Sequence, residues 1–165
     1  MIRKTSTSYA GRQLDIEMLK HIEIPAGRQR VHPNVHDSPR IVSGIEKAVQ
    51  RYAKLFLTNL GSVKTARGVG SELLPSVKTG RVSNTAYLSH LCSAANLHAL
   101  LAMKEDDENT DKFGVIPDDE FIVSTRIVKL SLDRGSSTAN VHIFIETAAG
   151  DGYTFVVPVS AGIEA

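Results

Sequence analysis

The sequence predicts an α+β domain in which two main helices pack on a C-terminal three- to four-stranded antiparallel β-meander, with an extended N-terminal arm. Three observations carry this. Apolar residues recur at helical spacing over two long segments. The period changes to two after Phe121, and turn signals such as Asp151-Gly152 separate the alternating runs.

Residues 1–37 read as the arm and 38–165 as one domain. LDIEMLKHIEI, Leu14 to Ile24, suits an extended segment or short strand, and the following Pro25, Gly27, Pro33 and Pro39 mark a loop. Ser38-Pro39 then predicts a helix start, with Ser as N-cap and Pro at the first helical position. Ile41/Val42, Ile45, Ala48/Val49, Tyr52 and Leu55/Phe56 follow at helical spacing, and Asn59 and Gly61 suit the helix end. A second helix is expected from Ser83 to Met103, burying Tyr87/Leu88, Leu91, Ala94/Ala95, Leu97/His98 and Leu101. Lys104 to Glu120 holds eight acidic side chains in seventeen positions and reads as an exposed loop. Strands are expected at Ile122–Leu132, Thr138–Thr147 and Tyr153–Val159; short connections make neighbours pair, which puts Thr138–Thr147 in the centre.

The chain has 165 residues, 42% apolar and 22% charged, enough for one domain with its own core. No apolar run approaches the ~20 residues of a membrane span, so no membrane partner is expected. MIRKTSTSYAGRQLDIEMLK lacks the apolar core of a secretory signal. The single Cys92, in a helical segment, reads as a small core residue rather than a nucleophile. Residues 1–100 carry 14 Lys/Arg against 6 Asp/Glu, a net +8; residues 101–165 carry 5 against 12, a net −7. Such polarity suits contacts with charged neighbours or with copies of the same chain.

SVKTARGVGSELLPSVKTGR, Ser62 to Arg81, says SVKT twice around a Gly-x-Gly. It lacks the Gly-Lys-Ser/Thr of a phosphate loop and the third glycine of a dinucleotide fingerprint, and it follows a helix rather than a strand. Lys78-Thr79-Gly80 has no S-x-x-K nucleophile motif anywhere in the chain to serve, and no G-x-S-x-G elbow occurs. The duplication is far shorter than a solenoid unit. The histidines, including the pairs His32/His36 and His90/His98, lack zinc-ligand spacing, and the acidic stretch lacks calcium-loop order. No cofactor, metal or catalytic set is expected. Lys64, Arg67, Lys78 and Arg81 have no aromatics among them for base stacking, which leaves phosphate-only contact as a second reading: a small anion- or nucleic-acid-binding module using loop 61–81. A connection this long tends to be functional, and contact with another chain is the favoured use.

IEKAVQRYAKLFLTNLGSVKTARGVGSELL, Ile45 to Leu74, runs from an amphipathic helix through Leu57-Thr58 and Gly61 to a polar loop ending in Gly70 and the pair Leu73-Leu74. This order, with a following helix, an acidic turn and a terminal meander, resembles the baseplate wedge or sheath-initiator proteins of contractile-tailed phages and related injection systems. The resemblance spans roughly Ile41 to Ser160. It departs where many members carry Glu-Pro-Arg before the first meander strand; here the chain reads PDDEFIVSTRIV. Arg67-Gly68-Val69-Gly70 also stands where Pro-x-Phe-Gly is usual.

The resemblance implies a non-enzymatic virion component of the tail baseplate, assembled in the host cytoplasm within a multi-copy symmetric particle. Its partners would be the tail sheath, baseplate wedge and tail tube proteins, with nucleic acid not expected. Sheath arms would add as strands to exposed sheet edges, where backbone bonds give affinity and alternate side chains give register. The expected contact residues are Ile122, Ser124, Arg126 and Val128 on one edge strand and Tyr153, Phe155 and Val157 on the other. Pro158 limits donation near the end of the latter. Lys64, Arg67, Lys78 and Arg81 in the loop, with the N-terminal arm, would face tube or wedge neighbours.

Overall fold

The computed structural model describes residues 15–24, 28–33, 40–82, 84–110, 116–133 and 138–160. The α+β architecture is as the sequence predicts: helices lie on one face of a sheet that ends in an antiparallel meander. In chain order the elements are β1 (Asp15–Ile16), β2 (Leu19–Ile24), β3 (Arg28–Pro33), β4 (Ile41–Val42), α1 (Ile45–Phe56), α2 (Leu73–Lys78), α3 (Thr85–Thr110), β5 (Ile122–Asp133), β6 (Thr138–Thr147) and β7 (Gly152–Ser160).

β6 is the central strand of the meander. It pairs antiparallel with β5 along its whole length and with β7 from Thr138↔Ser160 to Glu146↔Gly152. Its odd-numbered residues Ala139, Val141, Ile143 and Ile145 are buried against the helices, as period-two alternation requires. Phe155 of β7 meets Tyr52 of α1 edge-on, with ring centroids 6.0 Å apart, and Tyr52 stacks on Phe56. These three side chains are fully buried. At about 2–3 kcal/mol each they contribute heavily to a core otherwise built from aliphatics.

The first helix begins later than Ser38-Pro39 suggests; those two residues lie outside the described ones. Ile41-Val42 is instead a strand, paired with Asp15-Ile16. Gly44 precedes α1 with φ +64° and ψ −146°, and a Cβ there would lie 2.9 Å from Asp119 Oδ2. Only glycine fits both the backbone and the space. The acidic turn that follows α3 supplies the missing cap. Glu120 Oε1 accepts the Gly44 N–H at 3.1 Å, and its Oε2 accepts Lys47 Nζ at 2.7 Å. Both charged side chains are buried, as is Asp119.

This corrects the reading of Lys104 to Glu120 as a solvated loop. Its first part extends α3 to Thr110, and its last part closes over the start of α1. Acidic residues in a last helical turn oppose the helix dipole. Arg51 of α1 offsets this by reaching Asp106 and Asp107 at 2.7 Å each. Burial works against the Arg51 charge, but the two carboxylates outweigh it and raise its pKa.

On α3, Asn84 Oδ1 accepts the Tyr87 N–H as an N-cap. The buried stripe is Leu88, Leu91, Cys92, Ala95, Ala99 and Met103; Leu97 and Leu101 are more than half exposed, contrary to expectation. Small side chains let α1 and the sheet approach this stripe closely. Asn96 sits where three elements meet, its Oδ1 accepting the Tyr52 hydroxyl and, at 2.7 Å, the Thr125 hydroxyl. Burial pushes the Cys92 thiol up to about 12, which keeps it protonated and inert at neutral pH.

The N-terminal region is more than an arm. β2 and β3 form an antiparallel hairpin, with β3 in what the sequence marked as loop. β3 then pairs in parallel with β7 at Gln29↔Phe155 and Arg30↔Val156, giving the strand order β2-β3-β7-β6-β5. Gln50 of α1 fastens the segment just before β2. Its side chain, 1% exposed, donates to Asp15 Oδ2 (2.7 Å) and to the Ile16 carbonyl (2.9 Å), and accepts the Met18 N–H at 2.6 Å.

Replacing Gln50 by alanine is expected to release this latch at a cost of about 1–2 kcal/mol. Amide exchange at Met18 should accelerate while α1 stays protected; unchanged exchange there refutes the latch. Acid should loosen it too. Burial raises the Asp15 pKa, but the Gln50 bond and the Lys54 charge outweigh that and hold it below its ordinary value. A depressed carboxyl stabilises above its unfolded pKa, and that contribution is lost as pH falls through the folded value.

Candidate functional site

A sheet offers binding capacity where a strand has no neighbour. The middle of the meander's β7 flank, at Phe155 and Val156, is occupied by β3 of the same chain. Side-chain burial argues the same way: Phe155 and Val157 are in the core, and Tyr153 is half-buried against Phe155 with ring centroids 6.4 Å apart. Burial, with Glu46 nearby, pushes the Tyr153 phenol pKa up. The expectation that β7 is an open edge carrying Tyr153, Phe155 and Val157 is therefore corrected. Parallel pairing across more than a hundred residues leaves no local trace in sequence.

β5 remains an outer strand, with β6 on one side and no strand beyond it among the described residues. Of its expected contact residues, Ile122 is 2% exposed and belongs to the core. Ser124 Oγ donates to Glu146 Oε2 at 2.9 Å. Arg126 is exposed, its guanidinium 4.7 Å above the Phe144 ring, and Val128 is 55% exposed.

Two register shifts shape this strand. Ile122 pairs with Thr147 but Ser124 with Glu146, and Ile127 pairs with Ile143 but Lys129 with His142. Val123 and Val128 are thus the extra residues of two bulges, and both are exposed. Bulges at an edge increase local twist and restrict which partners can pair there. The second bulge also resets the faces. Arg126 and Lys129 are three apart in sequence, yet they stand opposite Phe144 and His142, two apart on one face of β6. On the helix side, α3 and β5 enclose an open groove of about 370 Å³ lined by Ser89, Ser93, Asn96, Ile127, Val128 and Leu130. The groove and the bulges were not anticipated from the sequence; the helical spacing of Ser89, Ser93 and Asn96 is the one signal that points to a polar flank on α3.

The basic residues lie apart from this edge in the chain. Lys64 and Arg67 are exposed in the loop after α1, Lys78 ends α2, and Arg81 follows it. Among the described residues none of the four meets a carboxylate within ion-pair distance. The loop is closed at its base by the Ser71 N–H to the Thr58 carbonyl (2.9 Å) and the Leu60 N–H to the Ser71 carbonyl (3.1 Å).

Among the described residues no three His, Cys, Asp or Glu side chains gather to hold a metal, and no helix is long and apolar enough to cross a membrane. No protein-family model matches the chain. Neither the curated proteins nor the solved structures compared with it yield a match.

Proposed function

We propose that this chain is a structural subunit of a contractile tail baseplate that initiates the sheath by accepting a sheath arm as an added strand on β5. The carrying observation is the outer edge of β5, a 12-residue strand at the rim of a five-stranded sheet. An extended arm that bonds to this rim gains a ladder of backbone bonds without a preformed pocket. The reading is non-enzymatic. The buried polar side chains Lys47, Glu120, Gln50 and Asp107 are engaged in joining elements of the fold. In the particle, the loop with Lys64, Arg67, Lys78 and Arg81 faces wedge or tube neighbours. The subunit is built into the virion in the host cytoplasm.

The test uses two adjacent proline variants, Arg126→Pro and Ile127→Pro. Successive N–H groups of a strand point to opposite sides, so one of the two bonds to β6 and the other points away. The inward variant should lose about 3 kcal/mol of stability or more. The outward variant should fold but fail to recruit sheath in a co-assembly assay. A folded outward variant that still recruits sheath removes β5 as the docking edge.

The four unpaired basic side chains favour a second reading, the anion- or nucleic-acid-binding module. Salt decides it: affinity for a nucleic acid must fall steeply with ionic strength, and a flat response dismisses this use.

A further inference from the structure

The outer edge of β5 has two chemically different sides. On the helix side lies the groove, with Ile127, Val128 and Leu130 on one wall and the small polar Ser89 and Ser93 on the other. On the opposite side stand Arg126 and Lys129, brought into one row by the Val128 bulge. Both are exposed, and among the described residues neither forms an ion pair. Arg126 is held by its contact with the Phe144 ring, so its cation is already placed.

A strand added to β5 continues the pleat, and its successive side chains alternate between these two sides. Those entering the groove lie beside Ile127, Val128 and Leu130 of β5, with Ser89, Ser93 and Asn96 of α3 across from them. Those on the other side lie beside two cations spaced two residues apart along the sheet. Lateral neighbours on one sheet face attract when oppositely charged and repel when like-charged. We infer that the β5 edge and its adjoining groove select an extended segment in which apolar residues alternate with acidic ones, two carboxylates lying two positions apart beside Arg126 and Lys129. This rests on the strand-addition reading and names the chemistry of the arm. A second copy of β5 is disfavoured as occupant, because it would set Arg126 and Lys129 against their own kind.

The full-length protein is titrated with three labelled peptides: one alternating valine and aspartate, one alternating valine and lysine, and one of the first composition with valines and aspartates in separate blocks. The alternating aspartate peptide should bind, with the lysine peptide roughly tenfold weaker or more, as two attractive contacts become repulsive. The blocked peptide should not bind. Ser93→Trp, which fills the groove from an exposed position, should abolish binding with the fold intact. Arg126→Glu with Lys129→Glu should reverse the preference toward lysine.

Equal binding of all three peptides, no binding of any, or an unreversed preference in the charge-swapped protein overturns the inference. If the outward-facing proline blocks sheath recruitment while the peptides show no charge preference, strand addition stands and the arm's chemistry is wrong. If the peptide preference reverses as expected while sheath recruitment ignores both the proline and the charge swap, the edge chemistry stands and the baseplate role falls.

Discussion

Replacing Glu120 by alanine will destabilise the fold by about 3–5 kcal/mol, enough to lower Tm by roughly 10 °C for a chain of this size. The magnitude follows from what is left behind. Lys47 Nζ, 2.7 Å from Glu120 Oε2, sits on a residue 8% exposed and would lose this buried carboxylate. The Gly44 N–H would lose its acceptor at the start of α1. The turn that carries Glu120 is also tied to the β6–β7 connection, where the Ala149 N–H donates to the Asp118 carbonyl and the Ala148 N–H to the Phe121 carbonyl. Loss of the carboxylate therefore loosens the joint between helix and sheet.

The double variant Lys47→Met, Glu120→Gln separates charge from geometry. It removes both charges, fills the lysine stem's volume and keeps an acceptor for Gly44, so it should recover most of the loss. Urea unfolding of the set measures both effects. A Glu120→Ala penalty below about 1 kcal/mol would place it in the range of exposed pairs and refute the buried joint.

Gly70→Ala should cost about 2–4 kcal/mol, the second large effect. Gly70 has φ +109°, a backbone state closed to L side chains. An added Cβ would also lie 2.6 Å from the Asn59 carbonyl carbon and oxygen and 2.7 Å from the Thr58 oxygen. These are backbone atoms and cannot swing aside. The variant must break the Asn59–Ser71 bridge, and Leu73, fully buried just beyond it, loses its anchor. Gly68→Ala is the control, since nothing lies within 4 Å of a Cβ there and its φ is ordinary. Equal stability of the two variants by thermal unfolding would contradict the role given to Gly70.

The meander was legible because its signals are local. Strict alternation from Val141 to Ile145 gives the strands nearly to the residue, although the chain reverses at Ala148–Gly150, with Gly150 at φ +80°, and Gly152 of the expected Asp151-Gly152 turn already pairs with Glu146. What was missed depends on partners distant in sequence. Ile41-Val42 fit a helical period as well as a strand, and pairing with Asp15-Ile16 decided between them. α3 carries apolar residues around much of its circumference, so spacing alone could not choose Leu88, Cys92, Ala95 and Ala99 over Leu97 and Leu101. The acidic run reads as solvated by composition, and only Arg51, Lys47 and Gly44 explain why Asp107 and Glu120 are buried. At the candidate site, β5 itself was legible. Its bulges and groove were not, because they depend on register against β6 and on the packing of α3.

The bridge that ties Asn59 to Ser71 has a practical corollary. With both ends of the intervening segment stitched together, Lys64 and Thr65 sit at the crest of a closed eyelet, exposed and outside the core. Closure entropy rises only slowly with length, so extra residues spliced in at this crest disturb the remainder little. A fluorophore or epitope carried there would label the folded chain while leaving the β5 rim bare.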